Sequence, residues 1–117
     1  MSTATDTWVA ICAANDILPN TGVCARVADR HVAIFRVAGG GQGEDRFYAI
    51  DNIDPKNGAS VLSRGLVGNL GEQVVVASPL YKHHIVLATG ECIENPDWSV
   101  SAHPVQVRDG RVWVSLA

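Results

Sequence analysis

Two short segments set polar side chains beside proline. The first reads Asp54-Pro55-Lys56, with Gly58-Ala59 just beyond, and the second reads Ser78-Pro79-Leu80-Tyr81-Lys82. Asp54 offers a hard carboxylate oxygen and Ser78 an alcohol that is neutral at pH 7. Tyr81 offers a phenol that titrates near ~10, and Lys56 an ammonium with no lone pair when protonated. A hard cation such as Mg²⁺ would find one carboxylate here, with Lys56 opposing it. Hydrogen bonding suits this set better. Asp54 is expected to accept from neighbouring backbone N–H groups, from Ser78 or from Tyr81, while Pro55 and Pro79 stiffen the loops.

Other chemistry is thinly supported. Cys12, Cys24 and Cys92 fit no CxxC pattern and have no His at a ligand spacing, so they read as free buried thiols. His83 and His84 read as surface or rim imidazoles beside Lys82. Gly39-Gly40-Gly41-Gln42-Gly43 lacks a Walker Lys-Ser/Thr, and Glu44-Asp45 would repel phosphate, so it reads as a hairpin tip. No nucleophile elbow is present. The net charge of −3 and the lack of a basic run exclude a nucleic-acid role. No apolar run approaches a membrane span. Trp8 to Ala14 is apolar but has no Lys or Arg before it, so it reads as a first strand and not as a signal peptide, and the chain as cytoplasmic.

The elements that must position the two segments are mostly strands. A chain of 117 residues with 47% hydrophobic content is expected to form one domain over 1–117, with 1–6 as a flexible N-terminus. Val23–Val27 alternates with period two, and His31–Val37 is rich in β-branched and aromatic residues. Ala28-Asp29-Arg30 is short enough to join them as a hairpin. Phe47–Ile50 leads into the first segment. Val74–Ala77 leads into the second, and Ile85–Leu87 leaves it before a Thr89-Gly90 turn. Asp109-Gly110 between Val105–Arg108 and Arg111–Val114 suits a type I′ hairpin. Asp16–Leu18 and Ala59–Arg64 are each expected to form about one helical turn. Trp8 and Trp113 are assigned to the core, and Trp98 to a loop capping it. The expected fold is an all-β sandwich or partial barrel.

On these residues the chain resembles Rieske-type domains. Phe47-Tyr48-Ala49-Ile50-Asp51-Asn52 followed by Ile53-Asp54-Pro55-Lys56-Asn57-Gly58-Ala59 is similar to the entry into a Rieske first ligand loop. Ser78-Pro79-Leu80-Tyr81 resembles the second ligand loop. Ile85–Cys92, Pro104–Val107 and the Asp109-Gly110 hairpin extend the likeness over nearly the whole chain. Val61–Gly68, Ala77–Lys82 and Gly22–Ala25 resemble one branch, the small subunits of assimilatory NAD(P)H-dependent nitrite reductases. In a Rieske protein two Cys and two His hold a 2Fe–2S cluster. The resemblance places Asp54, Lys56, Ser78 and Tyr81 at those four positions, as vestigial ligand sites.

The resemblance therefore implies a non-catalytic subunit with no cofactor of its own. It would support a large subunit carrying FAD, sirohaem and a 4Fe–4S cluster, in the reduction of nitrite to ammonium. Arg64, Leu80, Tyr81, Lys82 and His83 are the candidate docking residues. From the residues alone, a docking tip and an ordinary solvated loop fit equally well; the resemblance favours docking. A Rieske electron carrier and a free-standing binding module are the alternatives.

Overall fold

The computed structural model describes residues 8–39, 44–56, 58–80 and 82–116. Among the described residues ten strands run in chain order: β1 Val9–Ala13, β2 Thr21–Val27, β3 Arg30–Val37, β4 Arg46–Asp51, β5 Leu66–Leu70, β6 Gln73–Ala77, β7 His84–Val86, β8 Ala102–His103, β9 Val105–Arg108 and β10 Arg111–Val114. They form three antiparallel sheets, ordered β1-β10-β9, β2-β3-β4-β8 and β5-β6-β7. No barrel closes. Helical structure among the described residues is confined to the 3₁₀ turns Ala14–Asp16, Leu62–Arg64 and Pro96–Trp98. None of the described helices is long and apolar enough to cross a membrane.

The four-stranded sheet is the middle layer, because successive side chains of a strand point to opposite faces. On β3, Ala33 and Phe35 enter one core with Leu62, Val76, Ile85 and Leu87. Val32 and Ile34 enter a second core with Ile17, Val27, Val112 and Val114. Ile50 and Ala49 of β4 divide in the same way. A strand buried on both faces cannot alternate apolar with polar, which is why His31–Val37 reads as nearly continuous apolar sequence.

The turns follow their residue types. Asp109 and Gly110 both have positive φ, 53° and 75°, as a type I′ turn requires. The β2–β3 hairpin turns at Ala28, whose φ is 54°. Residues 40–43 of the glycine-rich tip and the N-terminal residues 1–6 lie outside the described residues.

Two expectations about the core need correction. Trp8 and Trp113 are half-buried, with the Arg108 guanidinium 5.9 Å and 4.5 Å from their ring centroids. Trp113 alternates with the core residues Val112 and Val114 and so takes the other face of β10. Of the three free thiols only Cys92 is buried; Cys12 is half-buried and Cys24 exposed. Cys24 lies on edge strand β2, opposite Ala33 of β3.

Candidate functional site

The two proline segments face each other as loops of one design. In the first, Asp54 donates its backbone N–H to Ala59 O at 2.8 Å, and Gly58 N–H returns to Asp54 O at 2.7 Å. In the second, Ser78 N–H donates to His83 O at 2.8 Å, and Lys82 N–H returns to Ser78 O at 2.9 Å. Proline follows the first residue of each loop. The fifth residue of each has positive φ, 75° at Gly58 and 61° at Lys82. Matching backbone bonds thus close both loops, and Lys82 adopts a conformation usually left to glycine.

Asn52 anchors the first loop to the sheet. It is 1% exposed, and its Oδ1 accepts from Ser63 N–H at 2.6 Å while its Nδ2 donates to Ser60 Oγ at 2.7 Å. Its carbonyl accepts from Val61 and Leu62 N–H at 3.1 and 3.0 Å. One buried amide therefore holds both ends of the excursion between β4 and the Leu62–Arg64 turn. Beside it, Asp51 Oδ1 lies 2.8 Å from Arg30 Nη2 and 2.8 Å from His103 Nε2, tying the end of β4 to β3 and β8.

Asp54 cross-links the loops. Its carboxylate is fully buried, accepting from Ser78 Oγ at Oδ2 (2.6 Å) and from Lys56 N–H at Oδ1 (2.9 Å). His83 Nε2 stands 3.2 Å from Oδ1, at 3% exposure, and neither ring nitrogen has aligned hydrogen-bond geometry to a partner. The imidazole lies 5.2 Å from the Trp98 ring, tilted by 55°. Lys56 returns from the first loop to set its ammonium 4.0 Å from the centre of the same indole. Trp98 comes from the Pro96–Trp98 turn, which Asn95 caps by accepting from Asp97 N–H at 3.0 Å, and it packs against the first core.

The expected acceptor role of Asp54 towards Ser78 and a backbone N–H is thus present. Tyr81, expected as a further donor and as a docking residue, lies outside the described residues. Arg64, Leu80 and Lys82 are exposed, Leu80 at 52%. His83 corrects two expectations: it is no rim imidazole, and a side chain this buried offers no docking contact. The Asp54 carboxylate that it faces is distant in sequence and invisible to local pattern. Asn52 was also missed, since a polar residue between a strand and a proline loop looks like ordinary turn chemistry.

His84 points elsewhere, pairing with Glu94. Glu94 accepts from His84 N–H at 2.7 Å and from its Nδ1 at 2.6 Å. Burial pushes the Glu94 carboxyl up, but the backbone and imidazole hydrogen bonds of His84 outweigh this, and it titrates below its ordinary value of 4.5. A carboxyl with a lowered folded value stabilises fully above its unfolded value and loses that contribution as pH falls through the folded one. Glu94→Gln should therefore lower the thermal midpoint modestly at pH 7, and the gap from wild type should narrow as pH falls through the lowered folded value. A gap that is constant with pH would contradict the pairing.

The donor set does not fit a Rieske cluster. Iron there takes thiolate sulfur and imidazole nitrogen. Between these loops stand a carboxylate already engaged by a hydroxyl, one imidazole and an ammonium, and no thiol. Cys24 instead accepts from Asn52 Nδ2 at 3.3 Å, and Cys92 pairs across to Ile85. Among the described residues no group of three or more His, Cys, Asp or Glu is placed to hold a metal ion.

Comparison with known proteins identifies the frame. A family model described as Rieske-like [2Fe-2S] domain matches residues 7–115. The Escherichia coli K12 nitrite reductase (NADH) small subunit is 46% identical over 105 residues, 90% of this chain and 94% of that protein. The chain belongs to the Rieske-like nitrite reductase small-subunit family. The solution structure of the E. coli protein NirD superposes with a TM-score of 0.83 at 44% identity, covering 93% of this chain and 96% of that one. A sequence similar to this chain also occurs within a longer protein. The Klebsiella oxytoca nitrite reductase [NAD(P)H] large subunit is 42% identical over 107 residues, 92% of this chain but 11% of that protein. The all-β architecture expected from the strand patterns, and the Rieske-like form implied by the resemblance, are the ones observed.

Proposed function

We propose that this chain is the non-catalytic small subunit of a cytoplasmic NAD(P)H-dependent nitrite reductase, and that it carries no 2Fe–2S cluster. It binds and supports a large subunit whose FAD, 4Fe–4S cluster and sirohaem reduce nitrite to ammonium. The observation that carries this reading is the fully buried Asp54–Ser78 hydrogen bond at 2.6 Å. It joins the two loops where a Rieske protein would use metal, so the tip keeps its shape without iron. Asp54, Lys56, Ser78 and Tyr81 are on this reading former ligand positions, and the tip bearing Arg64, Leu80, Tyr81 and Lys82 faces the partner. The K. oxytoca relative supports the partnership, because there a domain of this kind is part of the large-subunit polypeptide itself.

The test is co-expression of the tagged chain with its large subunit, followed by a visible spectrum and iron analysis of the small chain alone. A colourless, iron-free small chain that retains a flavin- and sirohaem-bearing partner is expected. A brown chain with stoichiometric iron would restore the electron-carrier alternative. Failure to retain the large subunit would remove the subunit role.

A further inference from the structure

A groove of about 490 Å³ lies between the Leu62–Arg64 turn, β5 and the second loop. Gly65, Leu66, Ala77 and Pro79 give it apolar walls, and Arg64 and Lys82 are exposed at its rim. Among the described residues no Asp or Glu lines it, although the chain as a whole carries 12 acidic against 9 basic residues. The carboxylate of Glu94, bonded to the lining residue His84, is turned to that imidazole and does not line the groove. The groove is therefore a cationic, apolar patch on a net acidic protein.

Its wall continues into the edge of a sheet. Among the described residues β5 pairs only with β6, and its sequence Leu66-Val67-Gly68-Asn69-Leu70 has neither charge nor proline. Its register against β6 is unbroken by a bulge. Edge strands are ordinarily guarded by one of these devices. Leu66, Gly68 and Leu70 share a face by the two-residue period, with the leucines 80% and 42% exposed. A Cβ on Gly68 would meet nothing within 4 Å, so the two leucines flank a notch.

We propose that this groove and the β5 edge seat an extended segment of the nitrite reductase large subunit. Apolar side chains of that segment would lie over Leu66 and the Gly68 notch, and its carboxylates against Arg64 and Lys82. This inference rests on the small-subunit reading above. Edge pairing supplies main-chain hydrogen bonds, the notch reads alternate side chains, and the two cations select an acidic sequence.

The experiment is calorimetric titration of the purified large subunit with the wild-type chain, with Arg64→Glu/Leu66→Glu, and with Val107→Glu. Val107 lies on β9 in another sheet and is also exposed, so it serves as a control. Hydrogen exchange on the wild-type complex is measured alongside. The groove variant should bind at least about tenfold more weakly, the control should match wild type, and the β5 amides should gain protection in the complex. Wild-type binding with an unaffected groove variant, or with unprotected β5 amides, overturns the inference while leaving the subunit reading intact. No wild-type binding overturns both. The exchange measurement also decides the matter should the double variant fold poorly.

Discussion

Asp54→Ala should destabilise the chain by about 3 kcal/mol, seen in urea unfolding as a lower midpoint with unchanged slope. The size follows from what the substitution strands. Ser78 Oγ and Lys56 N–H lose their acceptor in a site without solvent, and His83 loses the negative charge 3.2 Å from its Nε2. A buried group left without its partner costs far more than the net value of the bond itself. For a domain of this size the thermal midpoint should fall by roughly 12 °C. Asp54→Asn keeps an acceptor for Ser78 and removes the charge beside His83, so it should cost about 1 kcal/mol. A loss below about 1 kcal/mol for the alanine variant would mean that the carboxylate does not hold the loops together.

Gly90→Ala should be of similar severity for a different reason. Gly90 has a φ of 81°, and a Cβ there would overlap the Val100 carbonyl oxygen. The same two residues are joined by Val100 N–H donating to Gly90 O at 2.7 Å, so neither backbone can retreat without breaking the contact. The strain of a left-handed alanine adds about 1 kcal/mol or more to the displacement, for a total near 3 kcal/mol. Gly110→Ala isolates the conformational part: its φ is 75° but nothing lies within 4 Å of the added methyl. It should cost only about 1 kcal/mol. If the two variants melt together, the Val100 contact contributes nothing.

The legible parts of this fold are those whose signal is local. Asp109-Gly110 announces its turn because few other pairs tolerate two positive φ values, and the β-branched and aromatic run ending at Val37 declares a strand. β5 was missed because Leu66-Val67-Gly68-Asn69-Leu70 shows its leucines to solvent and breaks at glycine, so neither burial nor β-propensity marks it. β8 is two residues long and exists only through its pairing with β4. At the site, the Asp54–Ser78 bond could be anticipated because two polar residues occupy matched places in similar loops. The inward turn of His83 could not, since it depends on Trp98 and Asp54 arriving from separate parts of the chain.

The pairing of β1 with β10, Val9 opposite Val114, joins the first strand to the last one synthesised. On the ribosome the earliest strand has no edge to join until the last one emerges, so the outer sheet closes only when translation of the domain is finished. Until then Ile17, Val27, Val32 and Ile34 lack the cover that Val112 and Val114 provide, and the nascent chain exposes one of its two cores. The same seam brings the start and finish of the fold side by side, so a longer polypeptide can enter and leave the module at one point without disturbing its interior.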